Sequence, residues 1–560
     1  MEPPSPELFS LLCFSVSDQY SMEPIRYPAG TVSAYLGSTL VRYVLLIAAF
    51  TATAAAQARG PVLWTASGME RVGQTATARK KTTAGLFAAR GEYEPFQVVV
   101  RAPVSGLRNV TFWIGDLKGP HGHVIARSNL TVYREHYVRV EHGSPVQKNM
   151  GRPPLGPGWY ADALIPEVSE GANDRLRAFP FDLEAGKNQP IWVDIFVPRD
   201  AVAGTYTGAF EVRSLQGRNR GRVRLTVWNF ELPVKPSLAS SFGLQRDRST
   251  AAYELILRHK LMPIPVSTED TPIPIPASSE DAGRFAREFG LEWFDVGFPS
   301  GATWDTAKMR EPPSVDTIEA RAKSFPAGAK LYNYTADEIV RFPELYPRVR
   351  EWARTLHAAG VLNLITMAPV PALFDDGNGR SAVDIWVLQP EYYETSPANV
   401  RAVQAKGDLV WSYVALVQDD HSPWWEIDFP PVNYRVMQGF INQSLGFTGL
   451  LYWVVDLWTA KPWEDVDTYH QPDAHYPGEG MLVYPGDAVG VPGTVPSMRL
   501  KWIRKGVEDY EYVELLKKRG RGQWALSMVR EVATDFQNWS DDPAAIERAR
   551  RMMGEALSRH

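Results

Sequence analysis

Cysteine is nearly absent from this 560-residue chain, which contains only Cys13. Disulfides, thiolate metal sites and cysteine catalysis are therefore excluded after that residue. The chain also lacks G-x-S-x-G, P-loop, HExxH and EF-hand patterns, and it lacks a GxGxxG segment followed by a helix. The sequence gives no support to a serine esterase, an NTPase or a dinucleotide enzyme, and it predicts no metal and no cofactor.

An excess of positive charge is also missing. The chain has 59 Lys and Arg against 64 Asp and Glu, a net charge of −5. This gives no reason to expect nucleic acid or an anionic membrane as a partner. We interpret the basic run at residues 218–224 (RNRGRVR) as the solvated tip of a hairpin that leads into a strand.

No apolar run is long enough for a convincing membrane span. Residues 41–58 (VRYVLLIAAFTATAAAQA) instead have the charged start, short apolar centre and small-x-small end of a signal peptide. We expect cleavage after Ala58 and export to the periplasm or the medium, with a buried helix as the alternative. Residues 1–40 fit no signal pattern, and we expect translation to start near Met22 or Val41.

The length predicts two or three domains. Residues 59–235 contain short strands with alternating apolar and polar residues and dense turn signals, which predicts an antiparallel β-sandwich. The clearest strand segments are residues 96–101, 109–114, 130–133, 191–197, 208–212 and 223–228. A proline-marked linker at residues 232–237 ends this region.

Short apolar strands alternate with helices over residues 236–517, which favours a (β/α)8 TIM-type barrel. The expected strands are residues 241–244, 293–296, 330–334, 362–367, 383–388, 409–416 and 449–456, and the expected helices include 346–359, 397–405 and 433–444. Charged helical segments at 497–518 and 522–558 are expected to cap the barrel. Residues 518–560 form the predicted C-terminal helical extension.

Two adjacent carboxylates follow the strand at residues 330–334. Asp337 and Glu338 stand where barrel enzymes carry their active sites, just past a strand's C-terminal end. Carboxylates this close raise one pKa, as a general acid needs, while the other group stays ionised. The alternative is a helix N-terminus with acidic residues, which the helix dipole favours.

Aromatic residues are concentrated at the later strand ends, where flat rings could pack against the apolar faces of sugars. The alternative is that these rings belong to the barrel core, above all Trp453. We expect substrate to contact Asn333, Trp386, Trp411, Tyr413, Trp453, Asp456 and Trp458. Trp424, Trp425 and Trp463 complete the aromatic group. The loop with Asp465, Asp467, His470, Asp473, His475 and Glu479 is interpreted as a polar substrate-lining loop rather than a metal site.

Many short motifs follow one another from about residue 80 to about residue 517, at residues 89–97, 190–194, 197–198, 203–208, 334–338, 383–386, 410–413, 449–453, 461–463, 478–480, 484–486, 497–500 and 506–512. In this order they resemble glycoside hydrolase family 123. The family's Asp-Glu pair is often followed by proline, and here Ile339 stands in that place.

The resemblance implies retaining, substrate-assisted hydrolysis of N-acetylgalactosaminides. The substrate's 2-acetamido oxygen would attack C1 to form an oxazolinium ion. Asp337 would orient the acetamido group, and Glu338 would act as general acid and then as general base.

Two other functions stay open. Glu338 could work with a distant carboxylate such as Asp384, Glu391 or Asp456, in a two-carboxylate glycosidase that needs no acetamido group. The chain could also be a non-catalytic, carbohydrate-binding surface protein. In each case the expected partner is a glycan or glycoconjugate, and the sequence leaves the oligomeric state open.

Overall fold

The computed structural model describes residues 60–147, 150–167, 176–266, 279–416 and 419–559. The predicted leader and its cleavage site lie outside these residues. Within the described ranges, no helix is long and apolar enough to cross a membrane.

The N-terminal part consists of two β-sheets, as predicted, and nearly all of its strand pairs are antiparallel. Their strands are β1 (Val62–Ser67), β2 (Thr83–Arg90), β3 (Tyr93–Arg101), β4 (Leu107–Ile114), β5 (Leu117–Lys118), β6 (Val124–Ile125), β7 (Leu130–Val140), β8 (Gly158–Pro166), β9 (Phe181–Leu183), β10 (Asn188–Phe196), β11 (Gly204–Ser214) and β12 (Gly217–Glu231). One sheet has the order β1-β3-β10-β7-β8 and the other β2-β12-β11-β4-β9, with β5 and β6 beside β11. Only β2 and β12 pair in parallel among these ladders.

Alternation explains how the sheets pack. Along β12, Val223, Leu225 and Val227 are buried while Arg222 and Arg224 are exposed. The buried residues share one apolar core with residues of the other sheet. The arginines of the basic run are exposed, as the interpretation from sequence expects, but the run lies along β12 itself, and the tip of the β11–β12 hairpin is at residues 214–217.

The following part is a nearly closed barrel of eight parallel strands. They are β13 (Ala239–Leu244), β14 (Pro263–Pro265), β15 (Trp293–Asp295), β16 (Lys330–Asp337), β17 (Leu362–Thr366), β18 (Ile385–Leu388), β19 (Leu409–Tyr413) and β20 (Gly449–Tyr452). Their order is β14-β13-β20-β19-β18-β17-β16-β15, without a ladder between the described residues of β14 and β15. The sequence predicts all of these strands except β14. Two hairpins follow, β21 (Tyr469–Gln471) with β22 (Ala474–Tyr476) and β23 (Val483–Pro485) with β24 (Thr494–Pro496).

Helices cover the barrel and extend the chain beyond it. They are α1 (Thr250–Arg258), α2 (Ser279–Phe289), α3 (Val315–Ala322), α4 (Tyr346–Ala358), α5 (Pro390–Thr395), α6 (Pro397–Lys406), α7 (Pro431–Val436), α8 (Asn442–Leu445), α9 (Met498–Lys518), α10 (Gly522–Arg530) and α11 (Pro543–Ser558). A π-helical turn, Met437–Ile441, divides the predicted helix 433–444. The predicted helical segment 522–558 is likewise two helices, because α10 ends at Arg530.

Helix α9 lies between the sandwich and the barrel and carries buried cations. Four of its basic side chains are at most 3% exposed, and each pairs with a sandwich carboxylate at 2.7–3.0 Å. The pairs are Arg499 with Asp162, Lys501 and Arg504 with Asp194, and Lys505 with Glu92 and Glu94. The charged helices therefore do more than cap the barrel. They join it to the sandwich, because ion pairs compensate the buried charges.

We predict that Asp194→Asn destabilises the protein strongly. The variant keeps the shape but leaves Lys501 and Arg504 buried without their carboxylate, which costs about 3–5 kcal/mol. The midpoint of urea unfolding should fall accordingly. Asp182→Asn is the matched control, because its ion pair with Arg108 is exposed, and its midpoint should not change measurably. Equal midpoints for the two variants would contradict this account.

Candidate active site

A cavity of about 1040 Å³ opens at the C-terminal ends of the barrel strands. Residues from several strand ends line it, among them Asp295, Asp337, Tyr413 and Tyr452. This is the end at which barrel enzymes build their active sites. Both members of the predicted pair, Asp337 and Glu338, face the same cavity.

A β-bulge explains why the Asp337 side chain lies on the same side of the strand as Tyr334. The pairing of β16 with β17 shifts between Tyr334 and Ala336, so that Thr335 is an extra residue in the strand. In a regular strand Tyr334 and Asp337 would point to opposite faces. The bulge places them on one side, where the Tyr334 hydroxyl donates to Asp337 Oδ1 at 2.8 Å.

The left-handed backbone conformation of Glu338 explains how its side chain faces the same cavity as Asp337. Glu338 has φ 53° and ψ 39°, which breaks the alternation that would send consecutive side chains to opposite faces. Such a conformation costs about 1–3 kcal/mol in a residue other than glycine. Two hydrogen bonds from the Glu338 backbone N–H offset this cost, one to the Thr366 carbonyl at 2.7 Å and one to the Thr366 hydroxyl at 2.9 Å.

The two carboxylates have different partners. Asp337 Oδ1 accepts hydrogen bonds from the hydroxyls of Thr366, at 2.6 Å, and Tyr334. Burial raises the pKa of Asp337, and these two hydrogen bonds oppose the rise. Burial raises the pKa of Glu338 to about 7, with a further contribution from the charge of Asp337. The side-chain amide of Gln389 donates to Glu338 Oε1 at 2.9 Å. One carboxyl is thus held by two hydroxyl donors, and the other exchanges its proton near neutral pH.

The cavity is also lined by carboxylates that the sequence analysis did not name as substrate-binding. Asp295 ends β15, and burial raises its pKa to about 6, while the backbone N–H groups of Gly297 and Tyr334 oppose the rise. Glu394 and Asp419 also line the cavity, together with Glu391, which the sequence analysis names as a possible partner acid.

The structure places only some of the expected substrate-binding residues in this cavity. Tyr413 and Trp453 line it, and the Trp453 indole N–H donates to Glu479 at 2.6 Å. Sequence reasoning did not single out Thr366, Gln389, Tyr392 or Trp304. These residues follow no motif, and only the pairing of strands brings the first two to the carboxylates.

Five residues that were expected to contact substrate do not line the cavity, and these expectations are corrected. Trp386 and Trp411 have no exposed surface. They belong to the core, as the alternative interpretation allowed: Trp386 donates to Asp408 at 3.2 Å, and Trp411 packs edge-on against Trp293.

The other three corrections concern Asn333, Asp456 and Trp458, which are absent from the cavity lining. Asn333 is buried and bonds the loop at Phe298. The Asp456 carboxylate accepts three backbone N–H groups at residues 245–247. The Trp458 indole donates to the carbonyl of Val483 at 2.9 Å. Each therefore supports a strand end or loop rather than facing the cavity.

The polar loop contributes less than expected. Tyr469 and Gln471 from β21 line the cavity, while the His475 imidazole bonds Asp467 at 2.7 Å outside it. Glu479 is fully buried. Among the described residues, no group of three or more His, Cys, Asp or Glu is arranged to hold a metal ion.

The three carboxylates considered as alternative partners of Glu338 occupy different positions in the barrel. Asp384 precedes β18 and therefore lies at the opposite end of the barrel from Glu338, where it bonds His357 at 2.9 Å. Asp456 is occupied by backbone donors. Of the three candidates, only Glu391 lines the cavity.

Comparison with known proteins agrees with this architecture. A model of the glycoside hydrolase 123 N-terminal domain matches residues 69–214, and a model of the family's catalytic domain matches residues 373–516. The chain belongs to glycoside hydrolase family 123. The resemblance inferred from the sequence motifs is confirmed, and a glycoside hydrolase is the corresponding activity. Asp337 and Glu338 precede the catalytic-domain match.

One solved structure supports the fold. A family 123 glycoside hydrolase from Clostridium perfringens, described in connection with glycolipid glycan hydrolysis, is 13% identical with a TM-score of 0.59, and the match covers 89% of this chain and 98% of that one. A β-glucuronidase from Parabacteroides merdae is 11% identical over 70% of this chain and 48% of that one, with a TM-score of only 0.26. A comparison with the curated proteins finds no match.

We predict that the Thr366 hydroxyl is needed for glycosidase activity. Thr366→Val preserves the shape but removes one of the two hydroxyl donors to Asp337 and one of the two acceptors for the Glu338 N–H. Hydrogen bonds to charged groups contribute about 1.5–3 kcal/mol, so kcat/KM should fall roughly 10- to 100-fold. Thr366→Ser retains the hydroxyl and should keep most of the activity. Equal activity of the Val and Ser variants on one glycoside would contradict the assignment.

Proposed function

We propose that this family 123 enzyme removes terminal N-acetylhexosamine residues, with β-N-acetylgalactosaminides as the expected substrates, by a retaining, substrate-assisted mechanism. Family membership and the paired carboxylates that line one cavity support the proposal. The glycolipid glycan hydrolysis named for the Clostridium perfringens structure is consistent with a glycoconjugate substrate. The enzyme needs no cofactor in this scheme.

Asp337 orients the nucleophile in the proposed mechanism. Tyr334 and Thr366 both donate to Oδ1, so Oδ2 stays available to accept the acetamido N–H. This hydrogen bond turns the acetamido oxygen toward C1, and the Asp337 charge stabilises the oxazolinium ion that forms.

Glu338 moves the proton. As C1 bonds to the acetamido oxygen, the bond between C1 and the leaving oxygen breaks, and that oxygen takes the proton of Glu338. The Glu338 carboxylate then removes a proton from water. The water oxygen attacks C1, the bond between C1 and the acetamido oxygen breaks, and the oxazolinium ring opens. A pKa of about 7 suits both steps, because the group can give and accept a proton near neutral pH.

The observation that carries the proposal is the unequal environment of two adjacent carboxylates on one cavity wall. A second candidate rests on Glu391, which lines the same cavity and could act as the nucleophile of a two-carboxylate glycosidase. Export with cleavage after Ala58 also remains a proposal, supported by the pattern of residues 41–58.

We predict that a thiazoline analogue of N-acetylgalactosamine inhibits the enzyme, because it mimics the cyclic intermediate. Asp337→Asn should bind it about 10- to 100-fold less tightly, since a charge-assisted hydrogen bond is lost. Glu391→Gln, which changes another carboxylate in the same cavity, should bind it like the native enzyme. Inhibition constants measure all three. If the thiazoline has no effect while a 2-fluoro sugar labels Glu391, the two-carboxylate mechanism is correct.

We predict that kcat/KM for a glycoside with a poor leaving group falls as the pH rises above about 7. Burial and Asp337 raise the pKa of Glu338 to about 7, and above that pH the acid has lost its proton. Glu338→Gln should reduce the rate roughly 10²- to 10⁴-fold and remove the alkaline limb. A dinitrophenyl glycoside needs little protonation and should be partly spared in the glycosylation step. Persistence of the limb in Glu338→Gln would assign it to another group.

A further inference from the structure

Trp304 stands at the cavity mouth with its indole largely uncovered. The side chain is 56% exposed, and yet it lines the same cavity as Asp337 and Glu338. Burying such a ring would be favourable, because aromatic side chains contribute large apolar areas. A ring that faces a substrate cavity while exposed to solvent is available to a ligand.

The Trp304 loop is attached to the strand that carries the acids. The carbonyl oxygen of Ala302 accepts the backbone N–H of Asp337 at 3.1 Å. Thr303 and Thr306 close a tight turn around Trp304 through reciprocal backbone hydrogen bonds of 3.2 and 3.1 Å. The ring is therefore presented from a short, hydrogen-bonded turn whose position is fixed relative to Asp337.

Arg341 places Trp304 on the side of Glu338. This arginine ends the short helical turn that begins directly after Glu338. Its guanidinium lies over the Trp304 ring, 6.0 Å from the centroid, a distance at which a cation still attracts the ring face. Tyr413 and Tyr452, by contrast, end β19 and β20, and Trp453 follows β20 directly; these strands are not neighbours of β15 or β16.

This position determines which part of a substrate Trp304 would meet. In the proposed mechanism Glu338 protonates the oxygen that joins the terminal residue to the rest of the glycan, so the leaving portion extends past Glu338. We propose that Trp304 forms the binding subsite for that leaving portion and stacks on the apolar face of its first pyranose ring. The inference rests on the proposed function and extends it to the aglycone side.

The charge of the cavity indicates that the first sugar ring of the leaving portion is uncharged. Six carboxylates line the cavity, and none of the described lining residues is Lys, Arg or His. They are Asp295, Asp337, Glu338, Glu391, Glu394 and Asp419. Arg341 faces the indole from outside this lining. An anionic leaving sugar would be repelled by those of the six carboxylates that are ionised, Asp337 among them, and a neutral glycan avoids this cost.

The test compares two glycosides of the same terminal N-acetylhexosamine, one with lactose and one with methanol as leaving group. Only lactose offers a ring for stacking. Trp304→Ala should lower kcat/KM for the lactoside relative to kcat/KM for the methyl glycoside about 2- to 12-fold, since an aromatic contact contributes roughly 0.5–1.5 kcal/mol. The methyl glycoside itself should be unaffected. Trp304→Phe should recover most of the ratio. Trp113→Ala is the control, because Trp113 is also 56% exposed but lies on β4 of the sandwich.

Two results would overturn the proposal: an unchanged ratio in Trp304→Ala, whether both glycosides lose activity equally or neither does, or faster cleavage when the lactose carries a sialic acid. If neither glycoside is cleaved, the proposed function fails. The proposed Trp304 subsite is then tested separately, by measuring the binding of free lactose. Saturation-transfer NMR with free lactose should then show binding to the native enzyme that Trp304→Ala loses. Absent binding, or equal binding by both proteins, would refute the subsite.

Discussion

The buried ion pair between Arg499 and Asp162 connects the sandwich to the cavity. Both side chains are fully buried, and the same guanidinium donates to the carbonyl of Gly478 at 2.7 Å. Separating the pair would leave an uncompensated buried charge, so strand β8, helix α9 and the segment around Gly478 stay together. Glu479, the next residue, receives the indole N–H of Trp453. The sandwich is therefore part of the scaffold that positions a cavity wall.

The low dielectric of the cavity imposes a second constraint. Two carboxylates side by side would both favour the neutral form there, because burial raises both pKa values. Only Asp337 has hydroxyl donors that favour its charge, and Glu338 faces the Asp337 charge instead. The proposed division between a charged stabiliser and a proton donor thus follows from the bulge at Thr335 and from the hydroxyl of Thr366. It does not follow from the identity of the two acids.

The sequence predicts the order of the elements much better than the direction of side chains. Buried parallel strands are apolar on both faces, so their pattern does not distinguish Trp386, in the core, from Tyr413, in the cavity. Strand β14 was missed because it is three residues long with a proline at each end. Thr366 reaches Asp337 only through the register of β16 with β17, which a single sequence does not contain. The acids themselves could be located, since their place at a strand end is a local property.

The buried charges of α9 show why the family could still be recognised from sequence. Alone, the helix resembles a solvated charged segment, because its carboxylate partners lie hundreds of residues away. Yet the motif segments at residues 89–97, 190–194 and 497–500 contain Glu92, Asp194 and Arg499, members of these ion pairs. Part of the resemblance therefore rests on the joint between sandwich and barrel, which demands particular charged residues. Trp304 lies outside both matched ranges, as do Asp337 and Glu338, and its loop is not part of the joint, so these ion pairs place no constraint on the proposed subsite.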